Sequence, residues 1–283
     1  MSVPTPPPVT SPSSPSTAVP PASRPGSPVL GFWIDVGIAI ATLLAVSLAC
    51  GIAWGVYRGV VLGMEAARSG AAPDPGALAG QMGQPGALAQ MLMAIMATGS
   101  AALLLYFWRR RASKTERQAS HRAALRPSTW GWTLLVAAGV FAGSSLISWA
   151  AGQAGIEPVP TNMALMQQAL AQFPVFLVIF AVLLAPAYEE LLFRRVLFGR
   201  LLAAGRPVLG IVLSSAAFAL VHEIPGTTPN GAAEIAQLWL VYGGMGAAFA
   251  WLYWRTGTLW APFVAHALNN AIALGALVFL GTT

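Results

Sequence analysis

Seven apolar runs spaced along a 283-residue chain constrain this protein more than any other feature. They lie at about 32–56, 87–108, 130–152, 172–193, 207–224, 235–254 and 259–280. A helix needs roughly 20 apolar residues to cross the hydrocarbon core of a bilayer. Inside lipid the backbone must satisfy its own polar groups, so a segment that crosses as an isolated run crosses as a helix. Composition agrees: only 8% of residues are charged and 56% are hydrophobic, with a mean hydropathy of +0.67, whereas a soluble domain carries about 25% charge. The expected fold is all-α, a polytopic bundle of about seven transmembrane helices with a polar intramembrane cavity.

The net charge of +6 does not point to nucleic acid, because seven of the 15 basic residues (Arg109, Arg110, Arg111, Lys114, Arg117, Arg122, Arg126) crowd one loop between apolar runs. Alternating sides from a cytoplasmic N-terminus puts 13 basic residues on one side and leaves only Arg58 and Arg68 opposite. The positive-inside rule then orients the chain with its N-terminus in and its C-terminus out. The neutral, Gly- and Pro-rich stretch 57–86 reads as an external loop. Residues 1–29 hold ten prolines among Ser and Thr and read as a disordered cytoplasmic tail; no cleaved signal peptide is expected. The expected divisions are this tail, two N-terminal spans with the basic loop over 30–128, and a core over 129–283. The single cysteine, Cys50, allows no intramolecular disulfide. Gly243, Gly244 and Gly246 in the sixth run would let helices pack closely.

Ionisable groups inside a membrane are costly and are candidates for function. Here they cluster in the C-terminal half: Glu189, Glu190 and Arg194 near the end of the fourth run, His222 near the end of the fifth, and His266 with Asn270 early in the seventh. Glu190 and Arg194 are four apart with the acid first, the favourable order for an intrahelical ion pair. Glu189 is turned about 100° from Glu190 and stays free. Phe218 and His222 share a face, as do His266 and Asn270. A carboxylate in a low-dielectric site becomes a better base, and a neighbouring imidazole can help hold and deprotonate water. Imidazole and carboxamide N–H groups can stabilise an oxyanion. This assigns Glu189 and His222 to water activation, with Glu190 and Arg194 beside them, His266 and Asn270 to the oxyanion, and Phe218 to the substrate pocket. Each residue also has an ordinary reading: an interfacial salt bridge, a histidine at the water boundary, an interhelical hydrogen bond, a core phenylalanine. Only their co-occurrence on three helices favours chemistry.

At these residues the sequence resembles the CPBP family of intramembrane proteases, which includes type II CAAX prenyl endopeptidases and bacteriocin-processing or self-immunity proteins. Glu189-Glu190-Leu191-Leu192-Phe193-Arg194 fits Glu-Glu-x-x-x-Arg, Phe218 to His222 fits Phe-x-x-x-His, and His266 to Asn270 fits His-x-x-x-Asn. The resemblance covers roughly 130–280. It implies a helical bundle whose cavity hydrolyses a peptide bond near a substrate's C-terminus, with the first Glu and the second-motif His activating water and the last His and Asn as oxyanion donors. Family mechanisms are described both as metal-free and as metal-dependent. The metal-free reading, with no cofactor, is the expectation; in the alternative, zinc would draw on Glu189, Glu190, His222 and His266. The partners implied are a peptide or membrane-protein substrate and the bilayer, with no nucleic acid. The Ala, Arg and Pro bias points to a bacterial cytoplasmic membrane.

Other chemistries fit less well. Asp35 stands alone at the edge of the first run and Asp74 sits in a loop, so no aspartyl pair is available; no His-Glu-x-x-His occurs. Gly143-Ser144-Ser145-Leu146 does not supply the Gly-x-Ser-Gly turn of a rhomboid-like dyad, while Ser215, seven residues before His222 on the same face, leaves a serine role open as a minor alternative. A proton-coupled transporter and a catalytically silent immunity or scaffold protein are the rival functions. One strain remains. His222 lies about 22 Å into its helix at 1.5 Å per residue, while Glu189 and His266 lie shallow. They converge only if the fifth helix tilts or starts deeper, or the fourth runs past residue 193 with Pro186 bending it.

Overall fold

The structure is a computed structural model that describes residues 27–70 and 78–280. Most of the expected N-terminal tail, and Asp74, lie outside the described residues. Pro28, placed in that tail by the sequence, already begins a helix. Among the described residues, seven long helices form the bundle: α1 (Pro28–Ser69), α2 (Ala87–Arg109), α3 (Pro127–Gln153), α4 (Pro174–Ala203), α5 (Pro207–His222), α6 (Ala232–Thr256) and α7 (Trp260–Leu280). Short helices Leu78–Met82, Lys114–Ala124 and Met163–Gln172 sit in the connections. No strand occurs among the described residues.

Six of the seven are long and apolar enough to cross a membrane. The exception is α5, whose 16 residues reach about 24 Å, short of a core of about 30 Å. It stops at His222 because Glu223 is extended, with φ −141° and ψ 100°, so the fifth run ends two residues before its expected limit of 224. The first helix errs the other way: α1 runs 42 residues, about 63 Å, and absorbs 57–69, expected to be loop. Gly59 and Gly63 stand there among Val, Leu and Met, and a glycine inside a helix costs only about 1 kcal/mol. The break comes at Gly70, whose φ of +68° lies in the left-handed region. Leu44, Leu48, Ile52 and Val56 point outward from α1 and are exposed, the side-chain pattern of a lipid-facing helix.

The fourth helix explains how the site assembles. Expected to end near 193, α4 continues for 30 residues to Ala203, which puts Glu189 and Glu190 at its middle. Two π-helical stretches, Ile179–Leu184 and Leu191–Phe198, flank the α-helical turn Ala185–Glu190 that carries the acids. In the first stretch the Ala185 amide reaches back to Phe180 O. The next donor in that register would be residue 186, a proline with no N–H. The Ala181 carbonyl left over accepts instead from Asn270 Nδ2 on α7, at 2.9 Å.

Close contacts seat α5 against its neighbours. A Cβ on Gly246 would stand 3.1 Å from Ser215 Cα, so α5 meets α6 nearly backbone to backbone, and one on Gly210 would stand 2.9 Å from the Phe198 ring, so the α5 backbone packs directly on that side chain of α4. Of the sixth-run glycines, Gly246 makes this approach; Gly244 faces open space. At the basic end, Asp35 is buried and paired with Arg109 and with Arg200, the latter at 2.6 Å. Asp35, which the sequence offers no aspartate to pair with, has arginine partners 74 and 165 residues away. Arg110 donates to Gly199 O at 3.0 Å. These bonds tie the ends of α1, α2 and α4 together.

Candidate active site

Glu189 sits on α4 with its carboxylate facing two imidazoles: His222 Nε2 lies 3.7 Å and His266 Nε2 3.8 Å from Glu189 Oε2. The depth problem posed by the sequence is thus solved by the length of α4. Glu189 and His222 keep 17% and 22% of their side-chain surface open, whereas Glu190 and His266 keep 0% and 2%. One acid is wet enough to meet water, and the other is sealed.

The sealed acid holds the second imidazole. His266 Nδ1 donates to Glu190 Oε1 at 2.8 Å, and Arg194 Nε stands 3.0 Å from Glu190 Oε2, the (i, i+4) pair read from the sequence. Arg194 is buried, with Cζ 4.7 Å from the centre of the Phe218 ring and 5.5 Å from that of Phe249, positions in which a guanidinium is attracted to the ring face. Phe218 is itself fully buried, so it forms the floor beneath the imidazoles rather than an open wall. On His222, Nδ1 is 2.8 Å from Phe218 O one turn earlier; a carbonyl only accepts, so Nδ1 carries the proton. Both Nδ1 positions are therefore occupied from behind. In their neutral forms the imidazoles present Nε2 lone pairs toward Glu189, and three acceptors face one point that asks for a donor. A separation of 3.7–3.8 Å suits a shared water.

Those three atoms also have the chemistry of zinc ligands, with outer partners of the kind metal-bound histidines use. As arranged, however, no three His, Cys, Asp or Glu side chains among the described residues could hold a metal ion.

Asn270, grouped with His266 by spacing, lies on the same helix with its amide spent in part on Ala181 O. Ser215 Oγ is buried without a hydrogen-bond partner and packs on Gly246, so no Ser–His pair forms. Several neighbours escaped the sequence reading. Tyr242 stacks on His222 at 4.7 Å between centroids, and Phe249 on His266 at 5.1 Å. These α6 residues are seven apart, one face of a helix, and that periodicity beside Gly246 was the available signal. Glu223, next to His222, is fully buried and accepts from Thr161, Thr228 and Asn230, while its backbone carbonyl accepts from Trp239. Burial pushes its carboxyl up, but the three side-chain hydrogen bonds outweigh this and hold it below the usual carboxylate range. This knot closes the site at the end of the bundle opposite the arginines.

Residues 171–272 match the family model described as type II CAAX prenyl endopeptidase Rce1-like. The match contains all three motifs and bears out the family resemblance they carried, over a shorter stretch than the 130–280 expected. A protein of Bacillus subtilis (strain 168) described as "Putative membrane peptidase YdiL" is 32% identical over 98 residues, 35% of this chain and 36% of that protein's length. The chain therefore aligns with about a third of that relative. No solved structure matches.

Proposed function

We propose that this membrane protein is an intramembrane endopeptidase that hydrolyses a peptide bond with water activated by Glu189 and His222. The observation that carries the reading is the convergence of Glu189 Oε2 with two imidazole Nε2 atoms whose Nδ1 positions are both held from behind. The family match to 171–272 and the peptidase description of the Bacillus relative support it. In the orientation set by the basic residues, the N-terminus and the arginine-rich end face the cytoplasm of a bacterial cell.

In the proposed reaction His266 starts as the imidazolium, and water bound between Glu189 and His222 gives one proton to Glu189 as its oxygen bonds to the substrate carbonyl carbon. His222 Nε2 accepts the water's other hydrogen as a hydrogen bond and fixes the lone pair that attacks. The carbonyl π electrons pass to oxygen. His266, protonated on both nitrogens, donates Nε2–H to that oxyanion, and Glu190 on its Nδ1–H stabilises the imidazolium. Asn270 has a second N–H for the same oxyanion. Collapse reforms the carbonyl, breaks the C–N bond, and the amine leaves with the proton from Glu189. Arg194 pairs with Glu190 and holds its carboxylate in place. No metal enters these steps.

The test uses the purified full chain in detergent with a library of peptides in H₂¹⁸O, read by mass spectrometry. Hydrolysis puts one ¹⁸O into the new carboxyl terminus, and the products persist when a chelator is added. Cleavage lost to the chelator and restored by zinc overturns the metal-free step. Cleavage that continues unchanged in both Glu189→Gln and His222→Ala overturns the site. Uptake driven by a pH gradient, without cleavage, would favour a transporter instead.

A further inference from the structure

The connection between α2 and α3 carries the short helix Lys114–Ala124, whose residues divide by face. Glu116, Ser120 and Ala123, at spacings of four and three, share the face that meets the protein. Glu116 takes Arg195 in two bonds of 3.1 and 3.0 Å, Ser120 donates to Thr258 Oγ1 at 2.9 Å, and Ala123 is buried. Lys114, Arg117, Gln118, His121 and Arg122 fall on the opposite face, where they line an open groove of about 400 Å³. Lys114, Arg117 and Arg122 make no ion pair among the described residues; Arg117 bonds only a backbone carbonyl, Ala112 O at 2.7 Å.

A second cavity, of about 710 Å³, meets this groove at Arg117 and His121, which border both. That volume is in the range of sites that enclose a small ligand, about 300–1,000 Å³. Its walls include Tyr106, Leu191, Tyr253, Leu259, Trp260 and Phe263. The two carboxylates on its border are already engaged, Glu116 by Arg195 and Glu190 by Arg194 and His266. A cationic groove thus opens into an apolar chamber. A ligand that fills both has an anionic head and an apolar tail, and neither of those carboxylates is left to receive an ammonium group on the head.

Depth narrows the choice of ligand. Exposed aromatic rings stand at the ends of four helices on this side of the bundle: Phe107 and Trp108 on α2, Trp130 on α3, Trp254 on α6 and Trp260 on α7. Such a belt lies at the level of the lipid headgroups, which puts the basic helix there too. The amphiphile present at that level is phospholipid. We propose that the groove and the chamber together bind one anionic phospholipid. Its phosphodiester pairs with the Arg117 guanidinium in bidentate geometry, with His121 N–H as a second donor and Lys114 and Arg122 alongside. One acyl chain lies in the chamber against Trp260 and Phe263. The site selects a head without an amine, phosphatidylglycerol over phosphatidylcholine, and this assignment is independent of the peptidase reading.

The experiment offers the purified full chain in detergent an equimolar mixture of phosphatidylglycerol and phosphatidylcholine with identical acyl chains, at low salt, and counts the lipids retained by native mass spectrometry. A Lys or Arg near a membrane surface contributes about fivefold to the binding of anionic lipid. The wild type should retain one phosphatidylglycerol with a preference of about fivefold or more. Arg117→Gln should lower that affinity about fivefold, and Lys114→Gln with Arg122→Gln by at least as much. Arg126→Gln, a cation that lines neither cavity, should leave it unchanged. All variants must share the wild-type unfolding midpoint in detergent. Phosphatidylglycerol brominated on its acyl chains should quench wild-type fluorescence more than that of Trp260→Phe. Equal retention of the two lipids, or a preference that survives both Arg117→Gln and the double substitution, overturns the proposal. Loss of the preference when inorganic phosphate is added at millimolar concentration gives the groove to free phosphate and overturns the lipid. Equal quenching in wild type and Trp260→Phe overturns the placement of the acyl chain.

Discussion

Replacing Asn270 by alanine removes the side-chain donor that reaches Ala181 O from α7. A buried carbonyl left unpaired costs about 1–3 kcal/mol, while hydrogen bonds between transmembrane helices average about 0.6 and reach about 1.7 kcal/mol. The expected loss is therefore about 1 kcal/mol, roughly fivefold in the unfolding equilibrium. The carbonyl is free because the Ala185 amide bonds Phe180 O and residue 186 is a proline. Pro186→Ala supplies an N–H at the position the π register aims at Ala181. In that background Asn270→Ala should cost less than half as much, a coupling of about 0.5 kcal/mol or more. The four proteins of the cycle would be unfolded reversibly in mixed detergent and SDS at one composition, with helicity read by circular dichroism. Effects that add to within about 0.3 kcal/mol, the range for independent sites, would refute the link between Pro186, the π stretch and Asn270.

Other expectations follow from the same contacts. Glu190→Gln removes the charge that holds His266 Nδ1–H and pairs Arg194, so kcat should fall about 100-fold or more, by analogy with the loss of a triad carboxylate; an unchanged kcat contradicts the tautomer assignment. Gly246→Leu drives a side chain into Ser215, whose Cα already stands 3.1 Å from the Cβ position; about 1–3 kcal/mol of stability should be lost, measured by the same unfolding titration. Hydrogen bonds from Arg195, together with the Ser113 amide, hold the Glu116 carboxyl down to about 2, below its ordinary 4.5. A depressed folded-state value means that docking of the Lys114–Ala124 helix is favoured above about pH 4.5 and weakens as pH falls toward 2. Glu116 is half exposed, which limits the effect to about 1 kcal/mol or less; the protection of that helix's amides against hydrogen exchange, relative to their intrinsic rate at each pH, should fall over this interval in wild type and not in Glu116→Gln.

What the sequence disclosed depended on distance along the chain. Pairs one turn apart were legible: Glu190 with Arg194 by the (i, i+4) rule, and Phe218 with His222, although there the bond runs from the imidazole to the backbone carbonyl. Contacts between helices were legible only as candidates, because spacing states which face a residue takes and not which neighbour it meets. Asn270 with Ala181 is 89 residues apart and needs a change of helical register that no periodicity reveals. Asp35 looked isolated for the same reason. Tyr242 and Phe249 went unremarked because aromatic residues in an apolar helix read equally well as core. The end of α4 was misplaced because Arg194 and Arg195 resemble an interface; inside the bundle Arg194 is covered by Glu190 and phenylalanine rings, so the helix passes straight through.

The central claim is that Glu189, wet and facing two imidazoles, takes the proton from water. Once a cleaved peptide is found, the most direct measurement is the single-turnover rate of Glu189→Gln against wild type at saturating enzyme. Both proteins must first show the same detergent-unfolding midpoint. Loss of both the nucleophile-activating base and its electrostatic partner role predicts a fall of about 10³-fold or more. A Glu189→Gln protein that is folded and cleaves within about tenfold of wild type would contradict the claim.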